Sequence, residues 1–338
     1  MSGSKRTLVT GGAGFIGSHL VDRLVKHGHT VTVLDDMTNG KLANLKASLQ
    51  TGNVVLNQVD IANLNEIKPL FEGIDWVFHL AAKADVVPSI QHPIDYHRSN
   101  VDGTIAVLEA ARIAKVSRFV YAASSSCYGL ADEFPTKETF PASPMHPYAL
   151  TKFVGEQYVL HWDQVYGLPT LCLRLFNVYG PRARTSGSYG AVFGVFLAQK
   201  LAGKPFTIVG DGTQTRDFTF VSDVTDAFMK AAESNLYGEV MNVGSGNTYS
   251  INRLVELLDG NVVYLPKRPG EPDCTYADIT KIKNLLGWSP VVNFELGVKT
   301  MIDQITLWEN SPVWDKNSIN TATRDWFEYM GEKNPETS

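Results

Sequence analysis

The sequence predicts an α/β fold, with a doubly wound parallel sheet followed by a smaller C-terminal α/β unit. Three observations point to it. Short apolar runs alternate with helically patterned stretches through the first half of the chain, and that alternation builds a parallel sheet covered on both faces. A glycine triplet, Gly11, Gly14 and Gly17, stands between the first apolar run and the first helical stretch. After Gly180 the rhythm changes, and the short strands and helices there cannot supply a uniform parallel sheet.

The elements follow in order. Leu8, Val9 and Thr10 make a first strand that ends in glycines. Residues 15–27 then set Ile16, Leu20 and Leu24 on one helical face. Further strands are expected at 30–34, 54–59, 76–80, 119–123 and 170–176, with helices at 64–71, 101–114 and 148–166. Crossovers between the parallel strands are expected to be right-handed. These elements define a first domain over residues 1–178. Residues 182–189 are polar and read as a loop. Beyond them come helices at 191–201, 223–234, 251–258, 280–286 and 294–308, and strands at 206–209, 218–221 and 240–243. Residues 179–338 are expected to form mainly a substrate domain beside the strand ends, with some segments returning to the first domain. A last helix is expected at 318–329, before a polar end that frays.

Composition bounds the function. The 338 residues are 44% hydrophobic and 19% charged, enough apolar material for a buried core. Lys and Arg total 30 against 35 Asp and Glu, a net charge of −5 that disfavours nucleic acid as the main partner. Without a run of 18 apolar residues, no membrane span is expected. Residues 1–6 run straight into a strand, so no signal peptide is expected and the chain reads as cytoplasmic. Cys127, Cys172 and Cys274 are too few for a disulfide framework, and their spacing suggests no metal site.

Thr10-Gly-Gly-Ala-Gly-Phe-Ile-Gly17 carries the first chemistry. One glycine allows the tight turn, one lets backbone approach a pyrophosphate, and one lets the helix pack on the strand. The helix N-terminus then offers N–H groups to the phosphates. Asp35 closes the second strand, where an acid accepts the ribose hydroxyls of NAD and would repel a 2′-phosphate. Asp36 is adjacent and can serve instead.

A second constellation lies further on. Tyr148-Ala-Leu-Thr-Lys152 opens a helix, and four residues are one turn, so both side chains share a face. A nearby ammonium favours phenolate; moving a tyrosine from about 10 to near neutrality takes roughly 4 kcal/mol. The strand at 119–123 runs into Ser124, Ser125, Ser126 and Cys127. In open α/β sheets ligands lie beyond the carboxyl ends of strands. A serine hydroxyl beside a phenolate base is equipment for removing a proton from a secondary alcohol.

With these residues assembled, the chain resembles the extended short-chain dehydrogenase/reductase family. Within it the nucleotide-sugar epimerases and dehydratases are the nearer match, UDP-hexose 4-epimerases most of all. The resemblance covers roughly residues 5 to 310 and implies a Rossmann-type fold with NAD as cofactor. It implies cofactor contacts from Gly11, Gly14, Phe15, Ile16, Gly17, Asp35, Asp36 and Asn39. Val59-Asp60-Ile61 is similar to the adenine-binding segment, and Leu80, Ala81, Ala82 and Lys83 to the stretch that lines the cofactor, followed by Asn100. It implies Ser124, Tyr148 and Lys152 as catalytic residues, with Tyr148 and Lys152 also touching the cofactor. Substrate contacts are implied at Ser125, Ser126, Asn177, Arg216, Arg268 and Thr275. The two arginines would hold the diphosphate, and guanidinium forks suit its oxygens. Thr275 would stand at a gate for bulky C2 groups, where its small size leaves room for N-acetylated sugars. A homodimer is implied through the helices at 101–114 and 148–166.

The implied reaction is epimerisation of a nucleoside-diphosphate sugar at C4 through a transient 4-keto sugar, with NAD regenerated each cycle. The departures bear on the alternatives. The related 4,6-dehydratases carry an acid pair where Ser125 and Ser126 stand, and the decarboxylases a Glu at Ser126. Cys127 lies one position from the cysteine of the 3,5-epimerases, and strand alternation turns it to the opposite face, into the core. His146 is open to two readings, substrate contact or exposed loop imidazole. Another enzyme on the same scaffold (C4 oxidase or reductase, decarboxylase, 3,5-epimerase) remains an alternative. So does a non-catalytic NAD-binding sensor, although a sensor need not keep a base.

Overall fold

Alternating strands and helices place every candidate residue of the first half at one edge of a sheet. The computed structural model describes residues 3–183 and 191–331. The first half runs β1 (Arg6–Thr10), α1 (Phe15–Lys26), β2 (Thr30–Asp35), α2 (Leu42–Leu49), β3 (Val54–Gln58), α3 (Leu64–Ile67) and β4 (Trp76–His79). It continues with α4 (Val86–Gln91), α5 (Pro93–His97), α6 (Gly103–Ala114), β5 (Arg118–Ser124), α7 (Pro147–Tyr166) and β6 (Thr170–Leu175). The second half holds β7 (Asn177–Tyr179), α8 (Val192–Leu201), β8 (Phe206–Val209), β9 (Thr215–Arg216), β10 (Phe218–Phe220), α9 (Val221–Glu233) and β11 (Glu239–Val243). After these come β12 (Tyr249–Ser250), α10 (Ile251–Leu258), β13 (Val262–Leu265), α11 (Thr280–Leu286), α12 (Phe294–Asp303), α13 (Lys316–Ala322) and α14 (Arg324–Met330).

The main sheet has the order β11-β6-β5-β4-β1-β2-β3, and each neighbouring pair is parallel. The order reverses beside β1, whose Val9 pairs with Val33 of β2 and Phe78 of β4. That switch point opens the crevice for a ligand. The strand expected at 240–243 is β11, the seventh strand of this sheet.

Side-chain alternation divides the core in two. Val9, Phe78, Val120 and Leu171 join one cluster with Leu20 and Leu24 of α1 and Phe228 of α9. Leu8, Val77, Phe119 and Cys172 join the other with Val107 and Leu108 of α6 and Val159 of α7. The second half has its own aromatic core, where Tyr179 stacks on Phe193 at 4.5 Å and Phe218 on Phe294 at 5.3 Å. Its short strands pair two by two, β7 with β10, β8 with β13 and β9 with β12.

Several boundaries differ from the periodicity, each for a local reason. The helix expected at 64–71 changes to a tighter turn over Lys68–Phe71, because Pro69 has no N–H for the α ladder. The helix expected at 101–114 begins with a wider turn over Arg98–Asp102. That at 294–308 stops at Asp303 and resumes as a 3₁₀ turn over Ile305–Trp308. The one expected at 318–329 is two, α13 and α14, parted at the buried Thr323, whose hydroxyl donates to the Ile319 carbonyl at 2.8 Å. The short β7, β9, β12 and β13 carry too few residues for a period to show. The loop expected at 182–189 lies, from 184 to 189, outside the described residues, as does the polar end from 332. Among the described residues no helix is long and apolar enough to cross a membrane.

Candidate active site

The glycine loop joins β1 to α1. Gly11 sits at φ +69°, and a Cβ there would stand 2.8 Å from the Ala81 backbone. A Cβ on Gly17 would overlap the Gly11 carbonyl oxygen. Both positions therefore require glycine. Gly14 is the N-cap of α1 and brings no side-chain cap. The first-turn N–H groups, those of Phe15, Ile16 and Gly17 among them, and the positive dipole end are thus left for a phosphate.

Asp35 ends β2 and is 6% exposed. Its Oδ2 accepts the Ala13 N–H and its Oδ1 the Met37 N–H, both at 2.9 Å. Burial pushes its carboxyl up, and those two hydrogen bonds draw it back. A carboxylate has about four lone-pair sites, so capacity for two ribose hydroxyls remains. Asp36 and Asn39 are exposed, and Asp36 Oδ1 accepts the Thr38 N–H in a local turn. The structure therefore sets Asp35, not Asp36, beside the glycine loop. The loop and Asp35 together fit a dinucleotide.

The next strand ends complete this side. Asp60 pairs with Arg98 at 2.6 Å, and Ile61 is buried. Leu80 and Ala81 donate their N–H groups to Thr10 Oγ1 at 3.1 and 3.2 Å. Leu80 and Ala82 line the cleft. Asn100 departs from its implied role. It is 1% exposed, its Oδ1 accepts the Lys83 N–H, and its Nδ2 donates to the Lys83 carbonyl and Thr151 Oγ1. With its amide committed to the chain, it is a strut that fixes residues 80–83 on α7.

Ser124, Tyr148 and Lys152 line one wall of a cleft of about 600 Å³. Ser124 is the last residue of β5. Tyr148 and Lys152 lie in the first turns of α7, which starts at Pro147 under a cap from His146 Nδ1, an acceptor for the Ala149 N–H at 3.2 Å. The Tyr148 hydroxyl reaches Ser124 Oγ at 3.5 Å, and Ser124 Oγ meets Ser126 Oγ at 2.8 Å. Lys152 Nζ stands 4.2 Å from the centre of the Tyr121 ring.

Burial dominates the electrostatics of this pair. Burial pushes the Tyr148 phenol above its ordinary value, and the Ser124 hydrogen bond only partly opposes it. Burial also draws the Lys152 ammonium down to about 7, against the Cys172 and Glu156 fields that raise it. Lys152 faces Tyr121, and a positive charge brought into the cleft would favour the Tyr148 phenolate.

Three further assignments change. Ser125 and Ser126 lie in a 3₁₀ turn, Ser125–Tyr128, and neither lines the cleft; Ser126 reaches it only through Ser124. Thr275 does not line it either. Its hydroxyl accepts the Asp217 N–H at 3.1 Å and donates to Asn177 Oδ1 at 2.7 Å, bracing Asn177 from behind. Cys127 is in the core as expected, but not by strand alternation, because β5 has already ended. It is 1% exposed, and burial pushes its thiol up to about 12.

Arg216 and Arg268 line the far end of the cleft, joined by Glu271. Arg216 Nη2 lies 2.9 Å from Glu271 Oε1, and Arg268 Nη1 lies 3.6 Å from Glu271 Oε2. Two guanidinium groups against one carboxylate leave a net positive charge for an anion. Asn177 lines the same end.

The model of the NAD dependent epimerase/dehydratase family matches residues 7–244. The chain belongs to that family. It is an NAD-dependent enzyme by that membership, and the glycine loop and Asp35 fit such a cofactor. Among its relatives, UDP-glucose 4-epimerase of Mycolicibacterium smegmatis is 38% identical over 311 residues, 88% of this chain and 97% of that one. UDP-N-acetyl-alpha-D-glucosaminuronate decarboxylase of Bacillus cytotoxicus is 34% identical, over 90% of this chain and 99% of that one. The crystal structure of UDP-glucuronic acid 4-epimerase from Bacillus cereus, in complex with UDP-glucuronic acid and NAD, matches with a TM-score of 0.83 and 34% identity. It covers 89% of this chain and 99% of that one.

Motif reading missed several residues of this family member's cleft. Glu271, Trp314 and Trp326 all line it. Glu271 was within reach, since a carboxylate three residues after an arginine is a ready ion-pair partner. The two tryptophans carried no signal beyond being aromatic in a polar tail.

Proposed function

We propose that the chain interconverts C4 epimers of a UDP-hexose without net redox change. One observation carries the reading: the Tyr148 and Ser124 hydroxyls meet at 3.5 Å in the same cleft that Arg216 and Arg268 line. Residues 1–178 hold the cofactor and residues 179–338 mainly the nucleotide sugar. Arg216 and Arg268 bind the diphosphate, and Asn177 the sugar-phosphate link. Binding energy from the nucleotide leaves the sugar ring free to present either face. The glycine loop, Asp35 and residues 80–83 would hold NAD, which would supply a reversible hydride acceptor for C4 and a positive charge in the cleft. Tyr148 accepts the 4-hydroxyl proton and returns it to the same oxygen. Ser124 orients that oxygen, and Lys152 lies one helical turn behind.

Decarboxylation and dehydration fit less well, because Ser125 and Ser126 place no carboxylate beside Ser124. A cytoplasmic homodimer completes the reading: Leu150, Val165 and Tyr166 of α7 and Ile113 of α6 are exposed apolar residues on the helices that would pair. A monomer in sedimentation at micromolar concentration removes that part.

The test is incubation of purified protein with UDP-glucose, UDP-N-acetylglucosamine and UDP-glucuronate separately, without added NAD. Each mixture is read by the anomeric proton signals. The expected result is a mixture of C4 epimers from at least one sugar. Release of carbon dioxide, or accumulation of a keto sugar alone, refutes the epimerase reading.

A further inference from the structure

The cleft has a wall that neither the sheet nor the arginine segments supply. After α12 the chain crosses the cleft from one half of the molecule to the other. On the substrate side, Gln199 Nε2 donates to the Trp314 carbonyl at 2.7 Å. On the cofactor side, Gln91 Nε2 of α4 donates to Asp325 Oδ2 at 2.6 Å. Between these anchors α13 starts with a reciprocal cap, in which Asp315 and Ser318 each bond the other's backbone N–H. The segment is thus a strap tied to both halves.

Trp326, in the first turn of α14, is the point where this strap enters the cleft. The indole is held on three sides. Its Nε1 donates to the Pro269 carbonyl at 2.7 Å. The Arg268 guanidinium carbon lies 5.6 Å from the ring centre. The His146 ring lies 6.4 Å away and is itself stacked on Tyr148, 5.9 Å between centres at 8°. Tyr148, His146, Trp326 and Arg268 are therefore linked by successive contacts, and Tyr148, Trp326 and Arg268 line the cleft. These contacts run from the hydroxyl assigned to the sugar 4-oxygen to a guanidinium assigned to the diphosphate. A glycosyl ring that joins those two points lies beside them, against the indole.

We propose that Trp326 is the specificity-determining wall for the glycosyl ring, favouring a compact hexose over one enlarged by an acylamino group at C2. The proposal rests on the nucleotide-sugar reading above. The side chain first assigned this task, Thr275, is spent on Asn177 and Asp217 and does not face the cleft. An indole combines a broad apolar face, which packs against hexose C–H groups, with a polar edge already satisfied by Pro269. Loss of the ring opens room that a hexose cannot fill and an acetamido group can.

The test uses the full chain with its own bound NAD, and measures binding of UDP, UDP-glucose and UDP-N-acetylglucosamine by calorimetry. Trp326→Ala is expected to shift the affinity ratio toward the N-acetylated sugar by about tenfold or more, the scale of a filled or emptied pocket. Any loss through Arg268 is common to all three ligands and cancels in the ratio. Trp326→Phe, which keeps a ring but loses the Pro269 bond, is expected to stay near the wild-type ratio. If Trp326→Ala does not fold, Trp326→Leu is read the same way. An unchanged ratio, or equal weakening of all three ligands, overturns the proposal, because the indole then only supports Arg268. Turnover is not needed for this measurement. Failure of epimerisation therefore refutes the C4 reading alone, and failure of the ratio shift refutes the wall alone.

Discussion

The cofactor side and the diphosphate side of the cleft are built on different principles. On the cofactor side most functional groups lie within a few residues of a parallel strand's end, and hydrogen bonds between backbone N–H groups and side chains of adjoining segments fix them. Asp35 is held by Ala13 and Met37, and residues 80–83 by Thr10 and Asn100. On the other side, Arg216, Asn177, Trp326 and the Arg268–Glu271 pair come from separate segments, and their placement depends on side chains meeting across the fold. A locally fixed group is hard to replace, because its surroundings cannot move. A group held by several distant segments shares its task, so single changes there are graded.

The sharpest test of this contrast is the base. Tyr148→Phe keeps the ring on His146 and removes only the oxygen. Turnover is expected to fall about 10²- to 10⁴-fold, the range of a general base. NAD content, read by absorbance after denaturation, should be unchanged. Cys127→Ser in the adjoining turn should leave turnover nearly intact while costing about 1–3 kcal/mol in a urea melt, through a buried hydroxyl. The reverse ranking would transfer the chemistry to the cysteine.

Gly17→Ala probes the locally fixed side. Its methyl meets the Gly11 carbonyl, which cannot retreat without opening the loop. A loss of about 1–3 kcal/mol is expected from the overpacking, with purified protein largely free of NAD. Full NAD occupancy in that variant would break the contrast, since the loop would then be as tolerant as the far side.

Arg216→Ala probes the shared side. A charge-assisted hydrogen bond is worth about 1.5–3 kcal/mol, so KM for the nucleotide sugar should rise roughly 10- to 100-fold with kcat little changed. Arg268 remains to hold the diphosphate. A fall in kcat matching that of Tyr148→Phe would show that the arginine positions the reacting carbon as well.

The smallest effect is in pH. His146 caps α7 with a neutral ring, and burial holds its pKa at about 4, from 6.5. Below 6.5 the unfolded chain takes up a proton that the folded chain refuses until about 4. Stability is therefore complete above 6.5 and falls as pH drops through that window. His146→Asn keeps a cap without the titration and should flatten this slope in urea melts between pH 4.5 and 7.5. Part of the slope should persist, since burial also lowers His19, His29 and His79. No flattening at all would mean that His146 is not what the helix start depends on.

Much of the cofactor side was legible before the fold was known, because its rules are local. A glycine needed for a turn, an acid at a strand end and two side chains one turn apart are all properties of short windows. The sequence alone determined the parallel sheet, the glycine loop at Gly11, Gly14 and Gly17, and the grouping of Ser124 with Tyr148 and Lys152. Even there, short windows pointed to Asn100, whose amide is bonded to Lys83 and Thr151, and to Ser125, which does not line the cleft.

Tertiary structure alone decided what depends on distant segments. It turned Thr275 onto Asn177, 98 residues away in the chain, and so removed it from the gate. It returned β11 to the main sheet beside β6. It carried Trp326 across the cleft to Arg268 and His146. The physical reason is one of range. Backbone geometry and helical period act over a few residues and leave a mark in the sequence, whereas contacts between remote side chains are set by how whole elements pack, and no short window records that.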